Sequence, residues 1–358
     1  RKRAGLQAMV GNVLNAAQQI TGFSSAAVRV SPGRLGRALV AVAKGGASEE
    51  IERKSSFMRN RMSAGSLDLM QRAEDILTDV TSLDKVRRFG EKHGYFLQAG
   101  FQNFTDRVVW LAAYEQATEQ GKSDADAVFE ADAVVRQTQG SFAPEDVSRF
   151  ETGPAFMRMF SMFYSYFNAQ ANLVGGDAAV ILQEAGWRGG MGRLAYLYVF
   201  GMMIPAVLAE AIVRGAKGDL GDDEDDGLGD DLASLFFGAQ TRYVAGMVPI
   251  AGPVTIAAVN AWNSLPYDDR LSTSPVASTL ETTVRAPVSV WKALAEDGSA
   301  GKAVRDSLTA LGVLSGLPLG QLGKPLGYAA DVASGDAAPE GLGDVLSGIL
   351  TGRQPKPH

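Results

Sequence analysis

Few residues in this chain have the types and spacing that catalysis needs. The sequence contains no cysteine, and its two histidines, His93 and His358, are far apart, so a thiolate or histidine metal site is not expected. Two carboxylates held together can act as general acid and base. Glu184 and Glu210 are the acids to inspect because they lie on apolar segments, although solvated or helix-end carboxylates explain them equally simply. We predict no enzymatic activity, no cofactor and no metal.

Two glycine-rich segments also fall short of nucleotide-binding loops. Residues 298–303, GSAGKA, lack the glycine spacing and the hydroxyl of a phosphate-binding loop. Residues 186–192, GWRGGMG, follow no predicted strand, which a dinucleotide-binding fingerprint requires. Neither segment indicates a nucleotide site.

The most informative segment is an apolar run, residues 156–174 (FMRMFSMFYSYFNAQANLV), in which Arg158 is the one charge. A soluble helix of this length normally keeps a charged outer face. A helix without such a face is either buried in an assembly or in contact with lipid. We predict that its large aromatic side chains form a lipid or subunit interface. These residues are Phe156, Phe160, Phe163, Tyr164 and Phe167.

Small polar residues form a stripe along the same helix. Ser161, Ser165, Asn168 and Asn172 recur at i, i+4, i+7 and i+11. One interpretation is the lining of a lumen through which a polyanion slides. The other is a set of hydrogen bonds to a neighbouring helix in a bundle.

Charge is unevenly distributed. Residues 1–62 hold eleven Lys or Arg against three Glu, a balance of +8, and the remainder carries −14, which gives the net charge of −6. A basic arm on an acidic body favours contact with DNA or anionic lipid, and an ordinary solvated surface is the alternative. The candidate contacts are Arg1, Lys2, Arg3, Arg29, Arg34 and Arg37.

Helical periodicity dominates the rest of the chain. Phe101, Phe104, Val108, Leu111 and Ala112 share one helical face, with Trp110 and Tyr114 beside it. After Gly121, Ser123 and Asp126 predict a capped start for the next helix, in which Asp132 and Arg136 are spaced to pair. Runs of β-branched residues bounded by turns are scarce. We therefore predict an all-α fold, an extended assembly of helices with no significant sheet.

Three further segments are apolar enough to face a membrane or a protein interior. They are residues 194–209, 243–267 and 307–323, and each contains proline, at Pro205, at Pro249 and Pro253, and at Pro318. Interrupted apolar helices are tolerated at membrane depth beside other protein or a lumen, and buried helices of a large complex explain them equally well. A loop of eight carboxylates, residues 219–231, separates the first two and is interpreted as solvated.

These features divide the chain into five predicted regions. They are a basic Ala/Gly-rich arm (1–48), a helical domain with the aromatic helix (49–176), an apolar helix region (177–218), the acidic loop (219–231) and a Pro/Gly-broken apolar region (232–358). The chain begins Arg1-Lys2-Arg3, and we expect it to be a fragment of a longer polypeptide.

Several ordered blocks resemble a known family. They are SSFMRNRM at residues 55–62, FTDRVVWLAAYEQATEQGKSDADAVFEADAVVRQTQGS at 104–141, MFSMFYSYFNAQANL at 159–173 and LSGLPLGQLGK at 314–324. The region from about residue 50 to 330 is similar to the C-terminal region of the large internal, or ejection, virion proteins of short-tailed phages and of related large polyvalent phage proteins.

The resemblance implies a location and a role. The protein would be stored in the virion interior near the portal, beside copies of itself and other internal core proteins, and expelled to help form a conduit across the host envelope. Its later partner would be the host membrane. The DNA contact predicted from the charge of the basic arm is compatible with this role. The alternative is a purely structural ring or core protein inside the capsid that packs by helix–helix contacts and never meets lipid.

Overall fold

A computed structural model of the chain describes residues 7, 12–13, 17, 19–62, 96–139, 164–217, 236, 240, 275–295 and 298–354. Helices make up 84% of that part, and no strand occurs within it. The predicted all-α fold class is confirmed.

The helices occur in two groups along the chain. The first comprises α1 (Gly22–Ala26), α2 (Pro32–Ala43), α3 (Ala47–Lys54), α4 (Phe96–Glu119) and α5 (Asp124–Thr138), with residues 56–62 also helical. The second comprises α6 (Tyr164–Tyr198), a π-helical turn (Val199–Met203), α7 (Ile204–Lys217), α8 (Pro275–Ala295), α9 (Ala300–Ser315), α10 (Gly323–Ser334) and α11 (Leu342–Thr351).

Helix α4 is the centre of the first group. Val108, Val109 and Trp110 are all at most 1% exposed. Consecutive helical residues point about 100° apart, so a helix buried at three in a row must be surrounded. Helices α2, α3 and α5 pack around it. The sequence placed Trp110 beside the buried face, whereas the structure buries it fully.

The end of α4 and the start of α5 are determined by the residues that connect the two helices. After α4, Gly121 adopts φ 82°, and the Lys122 amide donates to the Ala117 carbonyl at 3.2 Å. Helix α5 then begins behind Ser123, whose hydroxyl oxygen accepts from the Asp126 amide at 3.2 Å. The glycine allows the left-handed turn and the serine satisfies a free helix-end amide, so the predicted capped start of α5 is confirmed.

Asp132 connects three helical segments. Its Oδ1 accepts from Trp110 Nε1 and from the Ser55 hydroxyl, both at 2.7 Å. The predicted partner, Arg136, instead places its guanidinium 4.3 Å from the centre of the Phe57 ring. An indole N–H buried in the core needs an acceptor, and Asp132 supplies it.

A second carboxylate lies deeper in the core. Asp106 is 1% exposed, and its Oδ2 is 2.7 Å from Arg61 Nε. Gln102 Nε2 donates to the other carboxylate oxygen at 2.7 Å. Removing one partner of such a pair leaves an uncompensated buried charge. The pair therefore fixes helical residues 56–62 against α4.

In the second group, α8 packs on α9, α9 on α10, and α10 on α11. The close contacts use glycine. A Cβ at Gly301 would lie 2.1 Å from the Gly327 carbonyl oxygen, so the α9 and α10 backbones touch at that point. Asp331 Oδ1 accepts from the Gly301 amide and the Ser299 hydroxyl, both at 2.7 Å, and Arg305 reaches its other oxygen at 3.1 Å.

The glycines spaced four apart at the end of α9 have distinct uses. Gly316 ends the helix with φ 78°, before Pro318. Gly312 and Gly320 make room for Gln7, since a Cβ at either would lie 2.2 Å and 2.6 Å from Gln7 atoms. Gln7 Nε2 donates to the Leu317 carbonyl at 2.6 Å, and its Oε1 accepts from the Gly320 amide at 2.7 Å.

A glycine substitution tests the α9–α10 contact. Gly301→Ala should lower the free energy of unfolding by about 1–3 kcal/mol, because the methyl group meets backbone that cannot rotate away. Gly36→Ala in α2 meets nothing within 4 Å and should raise it by about 0.5–1 kcal/mol. Urea unfolding of the full chain followed by circular dichroism measures both. Two substitutions of equal effect would contradict the close approach.

Candidate functional site: exposed apolar helices

One described segment, Ala169–Ala216, is long and apolar enough to cross a membrane. Its most apolar window has a mean hydropathy of 1.8, and 22% of that window is buried. Length and composition alone do not separate a spanning helix from the core helix of a soluble protein. A core helix, however, is mostly buried, whereas most residues of this window are only partly buried.

The segment is not one straight helix. Gly186 has φ 62° and ψ 178°, which divides α6 into two helices at a kink. A π-helical turn, Val199–Met203, then precedes Pro205. Proline lacks an amide hydrogen and collides with the carbonyl four residues earlier in a regular helix, and the wider turn accommodates it. The predicted interruption at Pro205 is therefore a local widening, with the helix continuing from Ile204.

One face of the segment is fixed to the first group of helices. The Tyr196 hydroxyl donates to the Ala27 carbonyl at 2.7 Å, and Arg29 Nη2 is 2.8 Å from Asp177 Oδ1. Gly201 is buried, and a Cβ there would lie 2.8 Å from the Val174 side chain. A cavity of about 390 Å³ lies beside these contacts.

Large apolar side chains are also exposed along the segment. Those between residues 164 and 217 are Val180, Leu182, Trp187, Met191, Tyr198 and Leu208, and the ring of Tyr196 is partly exposed although its hydroxyl is bonded to Ala27. Isolated exposed apolar residues are ordinary, but a series along one segment indicates a partner or a membrane.

The aromatic interface and the polar stripe predicted from the sequence lie mostly outside the described residues. Phe156, Phe160, Ser161 and Phe163 are outside them entirely. The backbones of Tyr164, Ser165, Phe167 and Asn168 begin α6, but their side chains are not described. Asn172 is exposed. The interface and the lumen lining both stay predictions.

Of the six candidate contacts in the basic arm, Arg1, Lys2 and Arg3 are outside the described residues, and the other three have acidic neighbours. Arg29 pairs with Asp177 and Arg34 with Glu119, while Arg37 is 3.6 Å from Glu119. The hydrogen bond from Arg34 is the main cause of a lowered Glu119 pKa. A polyanion would have to displace these carboxylates, and contact through this arm stays a prediction.

The two acids singled out for catalysis each have an arginine partner on the same helical segment. Glu184 Oε2 is 3.0 Å from Arg193 and well exposed, and Glu210 Oε1 is 3.2 Å from Arg214 one turn away. Within the described ranges, no three His, Cys, Asp or Glu side chains form a group that could hold a metal. The acidic loop, residues 219–231, lies outside those ranges.

A second apolar surface, the α8 face, was missed in the sequence. Val284, Val288, Trp291 and Leu294 are 55–82% exposed and lie at i, i+4, i+7 and i+10. That spacing is visible in the sequence. Hydropathy does not mark this segment, because Thr282, Arg285 and Lys292 interrupt its run of apolar residues. Beside this face, α8 and α9 enclose a cavity of about 480 Å³.

Comparisons with protein-family models, with curated proteins and with solved structures found no significant match. The resemblance to phage internal virion proteins therefore stays a prediction that rests on the sequence blocks alone.

The kink at Gly186 gives a direct test of the shape of the apolar segment. Its backbone conformation is accessible essentially to glycine alone, so Gly186→Ala should cost about 1–3 kcal/mol or straighten the kink. Gly175→Ala is a matched control in α6, because a Cβ there meets nothing within 4 Å. Thermal unfolding measures the cost, and equal midpoints for the two variants would contradict the kink.

Proposed function

We propose that this chain is a non-enzymatic internal virion protein of a phage, stored near the portal and expelled to help form a conduit across the host envelope. The sequence blocks supply the phage assignment. The observation that supports a membrane role is the apolar segment Ala169–Ala216, of whose most apolar window 22% is buried.

The dimensions of this segment suit a bilayer. A hydrocarbon core about 30 Å thick requires about 20 helical residues at 1.5 Å each. Residues 194–213 supply that number with Glu210 as their one charge. Because Glu210 pairs with Arg214 on the same helix, its charge is partly compensated, which lowers the penalty of placing it near lipid.

The helical fold suits a protein that passes through a narrow opening. Helical proteins rich in local contacts re-form quickly, because few of their contacts wait for distant strands to pair. The absence of cysteine from the sequence also means that no disulfide has to break and re-form. Both properties support a chain that loses and regains its fold during delivery.

The proposed membrane contact is tested with liposomes. The full chain should release a dye from phospholipid vesicles, and Leu208→Lys should reduce this release at least tenfold, because a lysine deep in a bilayer costs about 2.5–3.5 kcal/mol. Phe129→Lys on α5 is the matched control, since Phe129 is even more exposed but lies outside the apolar segment. Equal release by both variants, or no vesicle association at all, would contradict the membrane role.

A structural ring inside the capsid is the second candidate, because subunit contacts would cover the same exposed faces. Cryo-electron tomography of infecting particles separates the two. We expect the density of this protein to leave the capsid with the genome and to appear in the envelope. Density that stays inside the emptied capsid would support the ring and exclude ejection.

A further inference from the structure

We propose that α8 and the cavity between α8 and α9 form an interfacial docking site for an anionic phospholipid: the α8 face enters the lipid surface and the cavity receives the headgroup phosphate. This deepens the proposed function by naming a second surface and the class of lipid. The α8 site is proposed to bind the surface of a bilayer, whereas the segment Ala169–Ala216 is proposed to cross one.

The α8 face is too exposed to be part of a core. Val284 and Leu294 are 78% and 82% exposed, and Val288 and Trp291 lie between them. At 100° per residue, the four side chains lie within about 120° of one another around the helix. An exposed stripe of this width with a tryptophan in it is typical of helices that lie in the plane of a membrane surface.

Cations flank the α8 face on one side. Arg285 and Lys292 are exposed on α8, and Lys302 is exposed on α9 across the cavity that all three line. Neither Lys292 nor Lys302 forms an ion pair with any carboxylate of the described residues. Tryptophan beside lysine and arginine is the arrangement that anionic bilayer surfaces attract.

Among the described residues that line the cavity, the acidic group is Asp306, and it already has a hydrogen-bond partner. Asp306 is 7% exposed and accepts a hydrogen bond from the Ser289 hydroxyl. Among the described lining residues, Lys292 and Lys302 therefore face one hydrogen-bonded carboxylate in a volume of about 480 Å³, which lies in the range of small-ligand pockets. The two lysines complement a phosphodiester.

Charge also argues against a second copy of this chain as the occupant. A symmetric dimer places the same patch on both subunits. Lys292 and Lys302 would then face their own copies, and like charges across an interface are unfavourable. Nucleic acid matches the cations, but its backbone offers nothing apolar to Trp291 and Leu294. Phospholipid satisfies both parts of the site.

Vesicle binding by the full chain tests the site. Co-sedimentation should show binding to vesicles of phosphatidylcholine and phosphatidylglycerol at 3:1 and much weaker binding to phosphatidylcholine alone. Lys292→Gln with Lys302→Gln should weaken binding to the anionic vesicles about thirtyfold, because each lysine near such a surface contributes about fivefold. Trp291→Ser with Leu294→Ser should weaken it at least tenfold.

Matched controls carry the same changes elsewhere. Lys44→Gln with Arg53→Gln removes two exposed positive charges from the first group of helices, and Phe129→Ser removes an exposed aromatic side chain. Both should bind within twofold of the unchanged protein. All the substituted residues are exposed, so the thermal unfolding midpoints of the variants should equal that of the unchanged protein. Charge reversal at Lys292 and Lys302 provides a second variant pair, which should also weaken binding to the anionic vesicles.

Each other result overturns the proposal. Equal loss in controls and variants, or equal binding to neutral and anionic vesicles, removes the assigned site. A fall in oligomer mass on Trp291→Ser with Leu294→Ser, measured without lipid, assigns the α8 face to a second copy. Lysine-dependent binding of inorganic phosphate without vesicle binding assigns the cavity to a free anion.

The two proposals fail separately. Dye release that depends on Leu208 but not on Lys292 and Lys302 preserves the membrane role and removes the α8 site. Anionic binding that depends on the two lysines, with no dye release, preserves the α8 site and removes the conduit.

Discussion

The burial of α4 on all sides constrains most of the first group of helices. Because Val108, Val109 and Trp110 are enclosed together, α2, α3 and α5 have to approach from different directions. Enclosure also removes polar groups from water, and each then needs a partner. Asp132 meets the indole of Trp110, and Arg61 meets Asp106. These directional bonds determine how the neighbouring helices align along α4.

The second group of helices is held together differently. Glycine contacts such as that between Gly301 and Gly327, and hydrogen bonds to Asp331, join α9 to α10. Small residues let helix backbones approach without large apolar side chains between them. The leucines and valines of these helices therefore remain largely outside, and Leu314, Leu326, Leu342 and Leu346 are all more than half exposed. The second group of helices therefore keeps apolar surface exposed that a partner could cover, whereas the first group buries most of its apolar side chains around α4.

Local patterns in the sequence predicted local features well. The cap at Ser123 depends on neighbouring residues and was confirmed. Features that depend on distant residues were not predictable in this way. Asp132 was assigned to Arg136 one turn away, but its partners lie 22 and 77 positions along the chain. The π-helical turn before Pro205 and the kink at Gly186 were likewise outside a reading based on regular periodicity.

For the same reason, only part of the candidate site could be predicted from the sequence. Sequence hydropathy identified the segment around α7, because its apolar residues are contiguous. The α8 face is interrupted by cations, and the cavity beside it exists only because Lys302 on α9 approaches α8. A pairing between helices determines that meeting, and no single window of sequence contains it.

The position of Gln7 between Gly312 and Gly320 affects the order in which contacts break when the chain is pulled. Its hydrogen bonds to Leu317 and Gly320 connect Gln7 to the turn between α9 and α10, more than 300 residues later. A force transmitted along the chain from the side of Gln7 breaks these hydrogen bonds before it separates α9 from α10. A force transmitted from the side of α11 has to separate α11 from α10 and α7. Among the described residues, the first route therefore begins with a few hydrogen bonds and the second with packed helices.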